Sequence, residues 1–136
     1  MSQENVENLR AVLEAWDVQA WKRSGFDLSL LDPEVTYEDT VLPDHVGETY
    51  RGHEGVIRAT ERWIEPYEDM TIELERIVGS GDHLVSIHRV QGTARYTGIE
   101  GEGFVAYVWT FRGGKVIHFQ SYREPDEALK AAGLSE

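Results

Sequence analysis

Phe104-Val105-Ala106-Tyr107-Val108-Trp109-Thr110-Phe111-Arg112, followed by Gly113-Gly114 and then by Val116 to Arg123, is the stretch on which the fold turns. β-Branched and aromatic residues fill both runs, and two consecutive glycines supply the positive φ that a two-residue hairpin turn needs. The spacing therefore predicts an antiparallel pair. Along the first strand Val105, Tyr107, Trp109 and Phe111 share one face, and Phe104, Ala106, Val108 and Thr110 the other. Both faces are apolar, which predicts burial on both sides. On the second strand Ile117, Phe119 and Ser121 are assigned inward, and His118, Gln120 and Tyr122 outward.

Upstream, Met70 to Val78 and Leu84 to Tyr96 read as two more strands joined at Gly79-Ser80-Gly81-Asp82. The second is expected to bend or bulge at Gly92, and Gly98 to Gly103 reads as a connection. Val85, Ile87, Arg89 and Gln91 share a face that is assigned inward. Downstream, Pro125 to Ala132 predicts a short closing helix ended by Gly133. The first half of the chain has a different period. Val6, Leu9, Val12, Leu13, Trp16 and Ala20 recur at helical spacing over Glu4 to Arg23, and Phe26 to Leu31 reads as a second short helix with Asp27 as N-cap. After Asp32-Pro33, the alternating segment Glu34-Val35-Thr36-Tyr37-Glu38-Asp39 predicts a strand with Val35, Tyr37 and Asp39 on its buried face. Val41 to Tyr50 reads as loop with a short strand at Glu48 to Tyr50. Gly52-His53-Glu54-Gly55 opens a third helix striped by Val56, Ile57, Thr60, Trp63, Ile64 and Tyr67. Helices first and antiparallel strands afterwards predict one α+β domain over residues 1–136, with helices packed on one face of a curved sheet.

The chain has 136 residues, with 13 Lys plus Arg against 25 Asp plus Glu and a formal charge of -12. That excess repels phosphate backbones and anionic lipid, so nucleic acid and membrane surfaces are not expected as partners, and neutral or cationic ligands are favoured. Without cysteine there is no disulfide, thiolate catalysis or Cys-ligated zinc. The acidic, polar N-terminus lacks the basic and apolar regions of a signal peptide, and no run approaches the roughly 20 apolar residues of a membrane span. A cytoplasmic protein is expected. His45, His53, His83, His88 and His118 show no metal spacing, and Gly47, Gly52 and Gly55 make no phosphate loop, so neither a metal nor another cofactor is expected.

The order of elements resembles a known family, as do the pieces Asp32-Pro33-Glu34-Val35, Tyr37-Glu38-Asp39, Tyr50-Arg51-Gly52-His53-Glu54-Gly55, Trp109-Thr110-Phe111-Arg112-Gly113-Gly114-Lys115-Val116 and Tyr122-Arg123-Glu124. The family is the SnoaL-like proteins of the nuclear transport factor 2-like superfamily, which also holds ketosteroid isomerase, scytalone dehydratase and limonene-epoxide hydrolase. The resemblance implies a cone-shaped, mixed or antiparallel sheet wrapped around the N-terminal helices, a pocket at its open end, and a homodimer through the outer face of the sheet, where Phe104, Ala106 and Val108 stand. Members of the superfamily differ in activity, so the fold does not imply a reaction.

The resemblance to ketosteroid isomerase aligns Asp39 with a general-base carboxylate that takes a proton next to a carbonyl, a task suited to a pKa raised from about 4. Trp16, Trp63 and Tyr107 would desolvate it, with Tyr37 and Tyr107 orienting the substrate by hydrogen bonds. The isomerase's helix tyrosine is replaced at or next to Trp16, and its late-strand acid at or near Tyr107. Arg89 falls where the epoxide-hydrolase branch keeps an Arg, and Gln91 about where one of its Asp residues would be. Two readings of Asp39 stand: acid or base in an isomerase, cyclase or dehydratase, and structural ion-pair partner of Arg89 in a non-catalytic binding or dimeric module. Trp16, Trp63, Arg89, Gln91, Trp109, Phe119 and His53 are the candidate binding residues for a small, mostly apolar, neutral ligand.

Overall fold

The computed structural model describes residues 2–25, 27–39, 48–79 and 81–134. Its elements in order are α1 (Ser2–Glu14), α2 (Val18–Ser24), β1 (Leu31–Asp39), β2 (Glu48–Arg51), α3 (Gly52–Ile64), β3 (Thr71–Val78), β4 (His83–Thr93), β5 (Glu100–Arg112), β6 (Lys115–Tyr122) and α4 (Pro125–Ala131). The six strands form one curved, unclosed sheet in the order β2-β1-β6-β5-β4-β3. β1 and β6 run parallel while the other neighbours are antiparallel. That parallel pairing sets Tyr37 beside Phe119 and closes the first half of the chain onto the second. The α+β expectation holds, and the glycines at the hairpin turn, Gly113 and Gly114, have φ of 61° and 82°.

Two cores sit on opposite faces. Inside, Leu9, Val35, Val56, Leu84, Tyr107, Trp109 and Phe119 pack together under α1 and α3. Outside, Val85, Ile87 and Ala106 pack against Ala128 and Leu129 of α4. Ala106 and Val108, expected at a dimer contact, thus meet α4 within the same chain. Among the described residues, no helix is long and apolar enough to cross a membrane.

Several local expectations are corrected. The continuous helix over Glu4 to Arg23 is broken after Glu14, because Asp17 Oδ1 accepts from the Gln19 and Ala20 amides at 2.9 and 3.2 Å and starts α2 afresh. The helix expected over Phe26 to Leu31 is absent from the described part of that segment. There Asp27 Oδ1 accepts from the Ser29 amide and hydroxyl at 3.0 and 2.7 Å, a turn that competes with helix, and Leu31 already begins β1. Gly92 carries no bulge; it continues the β4–β5 register opposite Gly101, and a Cβ there would stand 3.2 Å from the Tyr67 ring. The sheet's irregularities lie elsewhere, one of them between Thr110 and Phe111, where β6 shifts so that Val116 rather than Ile117 enters the inner core. The segment expected as a connection joins β5 from Glu100 onward. The loop expected over Val41 to Gly47, with His45, lies outside the described residues.

Candidate functional site

β1 alternates as its sequence predicts, so Val35, Tyr37 and Asp39 face inward, with Val35 at 0% and Asp39 at 2% exposure. Because β6 lies parallel beside β1, Ser121 stands within reach of both polar side chains. The Tyr37 hydroxyl donates to Ser121 Oγ at 3.0 Å, and Ser121 Oγ donates to Asp39 Oδ1 at 3.4 Å. Burial first, then the neighbouring Tyr107 and Asp39, holds the Tyr37 phenol well above its ordinary range. Burial first, then Asp39, does the same for Tyr107. Both phenols therefore remain protonated across the neutral range.

In front of Tyr37 lies a cavity with a volume of about 70 Å³. All four tryptophans, Trp16, Trp21, Trp63 and Trp109, line it together with Tyr37, Tyr107 and Phe119, and Leu9, Leu28, Val56 and other aliphatic side chains fill the gaps. Trp16 is central: its ring meets Trp21 at 74° and Tyr107 at 89°, with centroids 5.5 and 5.7 Å apart. It reaches this position because the break before Asp17 turns the chain between α1 and α2. Phe119 stacks on Tyr37 and on Trp109 with centroids 4.5 and 4.6 Å apart. Asp27 and Thr60 are the other polar side chains of the described wall. Asp39 is not part of that wall and stands behind Tyr37 and Ser121.

Of the residues singled out from the sequence, Trp16, Tyr37, Trp63, Tyr107, Trp109 and Phe119 meet at the cavity. Arg89 and Gln91 do not. They lie on the outer face, where Arg89 approaches Glu75 and Glu102 at 4.0 Å each and sits 5.4 Å from the Phe104 ring centroid. Gln91 donates to Glu102 at 3.0 Å in a groove that Asp69, Thr71 and Glu100 also line. The expected Arg89 to Asp39 pair is thereby overturned, since β6 and β5 lie between β1 and β4 and the two side chains point to opposite faces. His53 donates from Nε2 to the Leu31 carbonyl at 2.9 Å, tying the start of α3 to the start of β1 rather than lining the cavity. His118 lies outside as expected and shares a 2.6 Å hydrogen bond with Thr36 Oγ1.

His88 alternates with Ile87 and Arg89, whose assignment inward puts it outside, and the structure reverses this. His88 is fully buried, stacks on Trp16 at 5.1 Å and 17°, and meets Tyr107 edge-on at 5.5 Å. Its Nε2 shares a 2.8 Å hydrogen bond with Ser86 Oγ, which also accepts from Trp109 Nε1 at 2.8 Å. Burial lowers its pKa to about 3, so the ring is neutral. Among the described residues, no group of His, Cys, Asp and Glu is arranged to hold a metal ion.

A six-stranded mixed sheet folded over helices, with an aromatic cavity between them, is the nuclear transport factor 2-like architecture. Residues 6–119 match the SnoaL-like domain, and the chain belongs to that family. Among solved structures it is similar to an NTF2-like protein of unknown function from Burkholderia pseudomallei, at 22% identity over 97% of this chain and 98% of that one, with a TM-score of 0.72. It is similar to TerC co-crystallised with polyporic acid, at 19% identity, 95% and 97% coverage and a TM-score of 0.69. A third is a protein of ketosteroid isomerase-like fold from Catenulispora acidiphila in complex with trimethylamine, at 19% identity, 99% and 96% coverage and a TM-score of 0.65. No curated protein matches the chain. At these identities the likeness to the solved structures concerns the fold.

Proposed function

We propose that the protein binds a small, mostly apolar molecule in the tryptophan-lined cavity and transfers a proton there through Tyr37, Ser121 and Asp39, in an isomerase, cyclase or dehydratase type of reaction. The observation that carries this is the double role of Tyr37, whose ring lines the cavity while its hydroxyl begins a hydrogen-bond chain ending on a buried carboxylate. Each hydroxyl in the chain donates toward Asp39. A proton accepted from the ligand by the Tyr37 oxygen is therefore matched by transfer of the phenolic proton to Ser121 and of the Ser121 proton to Asp39, the final acceptor. Tyr107, kept neutral by burial, supplies a hydrogen bond to a developing oxyanion. The 3.4 Å step from Ser121 to Asp39 is the loose link, of the kind that tightens when a ligand closes the site.

TerC and the Catenulispora acidiphila protein were each solved with a small organic molecule, which supports reading this cavity as a ligand site. A homodimer through the outer sheet face belongs to the same proposal, supported by Phe104, which is 44% exposed there. The cytoplasm is the compartment that belongs to this proposal.

The test is exchange of α-protons for deuterium in a panel of small cyclic ketones in D2O, followed by NMR. Wild type should catalyse exchange for at least one, and Tyr37→Phe and Asp39→Asn should each slow it by about 100-fold or more. Ketone binding without exchange would favour the second reading, a non-catalytic binding module. That reading is supported by the position of Asp39 behind the cavity wall.

A further inference from the structure

The cavity's own chemistry narrows the ligand class, and this step rests on reading the cavity as a ligand site. We infer that it takes a small organic cation, a methylated ammonium group, held against the tryptophan faces with Asp27 as its counter-charge. Among the described lining residues none is Lys, Arg or His, and the one charged side chain is Asp27. Its hydrogen bonds from the Ser29 hydroxyl and amide lower its pKa below the ordinary carboxylate value, and it keeps its charge at neutral pH. Oδ1 of Asp27 serves the turn at Ser29, and the charge of the carboxylate remains at the cavity wall. The exposure of Asp27 places the negative charge at the rim, with aromatic rings behind it.

The rings suit a cation. Indole presents the most electron-rich face of the aromatic side chains, and an ammonium within about 6 Å of a ring centroid is attracted to it. Trp16 meets Trp21 and Tyr107 at steep angles, so neighbouring faces look in different directions. A roughly spherical group can touch more than one such face at once, whereas a flat neutral ring stacks on one. Size agrees. The cavity, at about 70 Å³, has room for more than a single water-sized group, as a compact methylated ammonium requires. The net charge of -12 raises the local concentration of cations before any contact forms.

The experiment titrates wild type with tetramethylammonium chloride and with tert-butanol, a neutral molecule of the same heavy-atom count, following tryptophan indole N–H shifts by NMR. Sodium chloride balances the ionic strength. The cation should bind about tenfold more tightly than the alcohol. Asp27→Asn, which keeps the turn at Ser29 and removes the charge, should weaken the cation several-fold and leave the alcohol unchanged. Equal binding of the two molecules overturns the charge selectivity and leaves the ligand-pocket reading standing. Cation binding unaffected by Asp27→Asn overturns the role of Asp27. If neither molecule moves an indole resonance at 50 mM, the cavity is not a site for molecules of this size, and the inference fails with the reading beneath it.

Discussion

His88 makes stability depend on pH in a way that can be worked out in advance. The ring is fully buried, faces the neutral groups Trp16, Tyr107 and Ser86, and has its pKa lowered from 6.5 to about 3 by burial. An unfolded chain protonates this imidazole near pH 6.5 while the folded chain does not, so between pH 6.5 and 3 the unfolded state binds more protons and stability falls as pH falls. Each pH unit in that window costs about 1.4 kcal/mol, so at pH 5.0 the loss relative to pH 8 is about 2 kcal/mol. The assay is urea unfolding of wild type and His88→Leu at pH 5, 6, 7 and 8. Other titrating groups act on both proteins, so the difference between them isolates His88. The wild-type advantage, whatever its size at pH 8, should shrink by about 2 kcal/mol at pH 5. A difference that stays constant would refute the reasoning. Should the variant fail to fold, the wild-type imidazole resonances decide instead: a His88 signal titrating near pH 6.5 in the folded protein would mean the ring accepts a proton in place.

Leu84→Ala, at a position with 0% exposure in the inner core, should lower unfolding stability by about 2–5 kcal/mol in the same urea assay. Gly55→Ala should destabilise by about 1–3 kcal/mol, because its Cβ would stand 3.2 Å from the Tyr50 carbonyl carbon and force α3 away from β2. Arg89→Met removes two long, half-exposed ion pairs and should change stability by no more than about 1 kcal/mol, with indole shifts on ligand titration unaltered. A homodimer should give twice the 15.5 kDa chain mass by light scattering at micromolar concentration, and a monomer mass would remove the dimer from the proposal.

The strand of the Gly113-Gly114 hairpin that ends in Arg112 was legible because both its faces are apolar and its glycines mark the turn. The segment around Tyr37 was legible because its residues alternate between a buried and a wetter face. The same logic failed on β4. Val85 and Ile87 suggested an inner face, and they are buried, but under α4 on the outside. A strand covered on both sides carries no hydrophobic alternation, so its sequence does not mark which face is inner, and placing Val85 and Ile87 inside carries Arg89 and Gln91 in and His88 out. The helix break before Asp17 was missed for a different reason. Its capping bonds are local, but nothing in the apolar spacing from Val12 to Ala20 distinguishes a capped restart from a continuous helix.

By itself, the sequence determined what depends on neighbours along the chain: the turn at Gly113-Gly114, the inward set Val35, Tyr37 and Asp39, the aromatic face of β5 and the acidic balance that disfavours anionic partners. Tertiary structure alone decided which side chains meet. Tyr37 and Ser121 are joined by the parallel pairing of β1 with β6, and the four tryptophans come from separate parts of the fold to one wall. Asp39, by its sequence either an acid or base or an ion-pair partner of Arg89, is the inner end of a hydrogen-bond chain. The physical reason is that register across a parallel pair and burial under a distant helix are long-range properties, which no local period encodes.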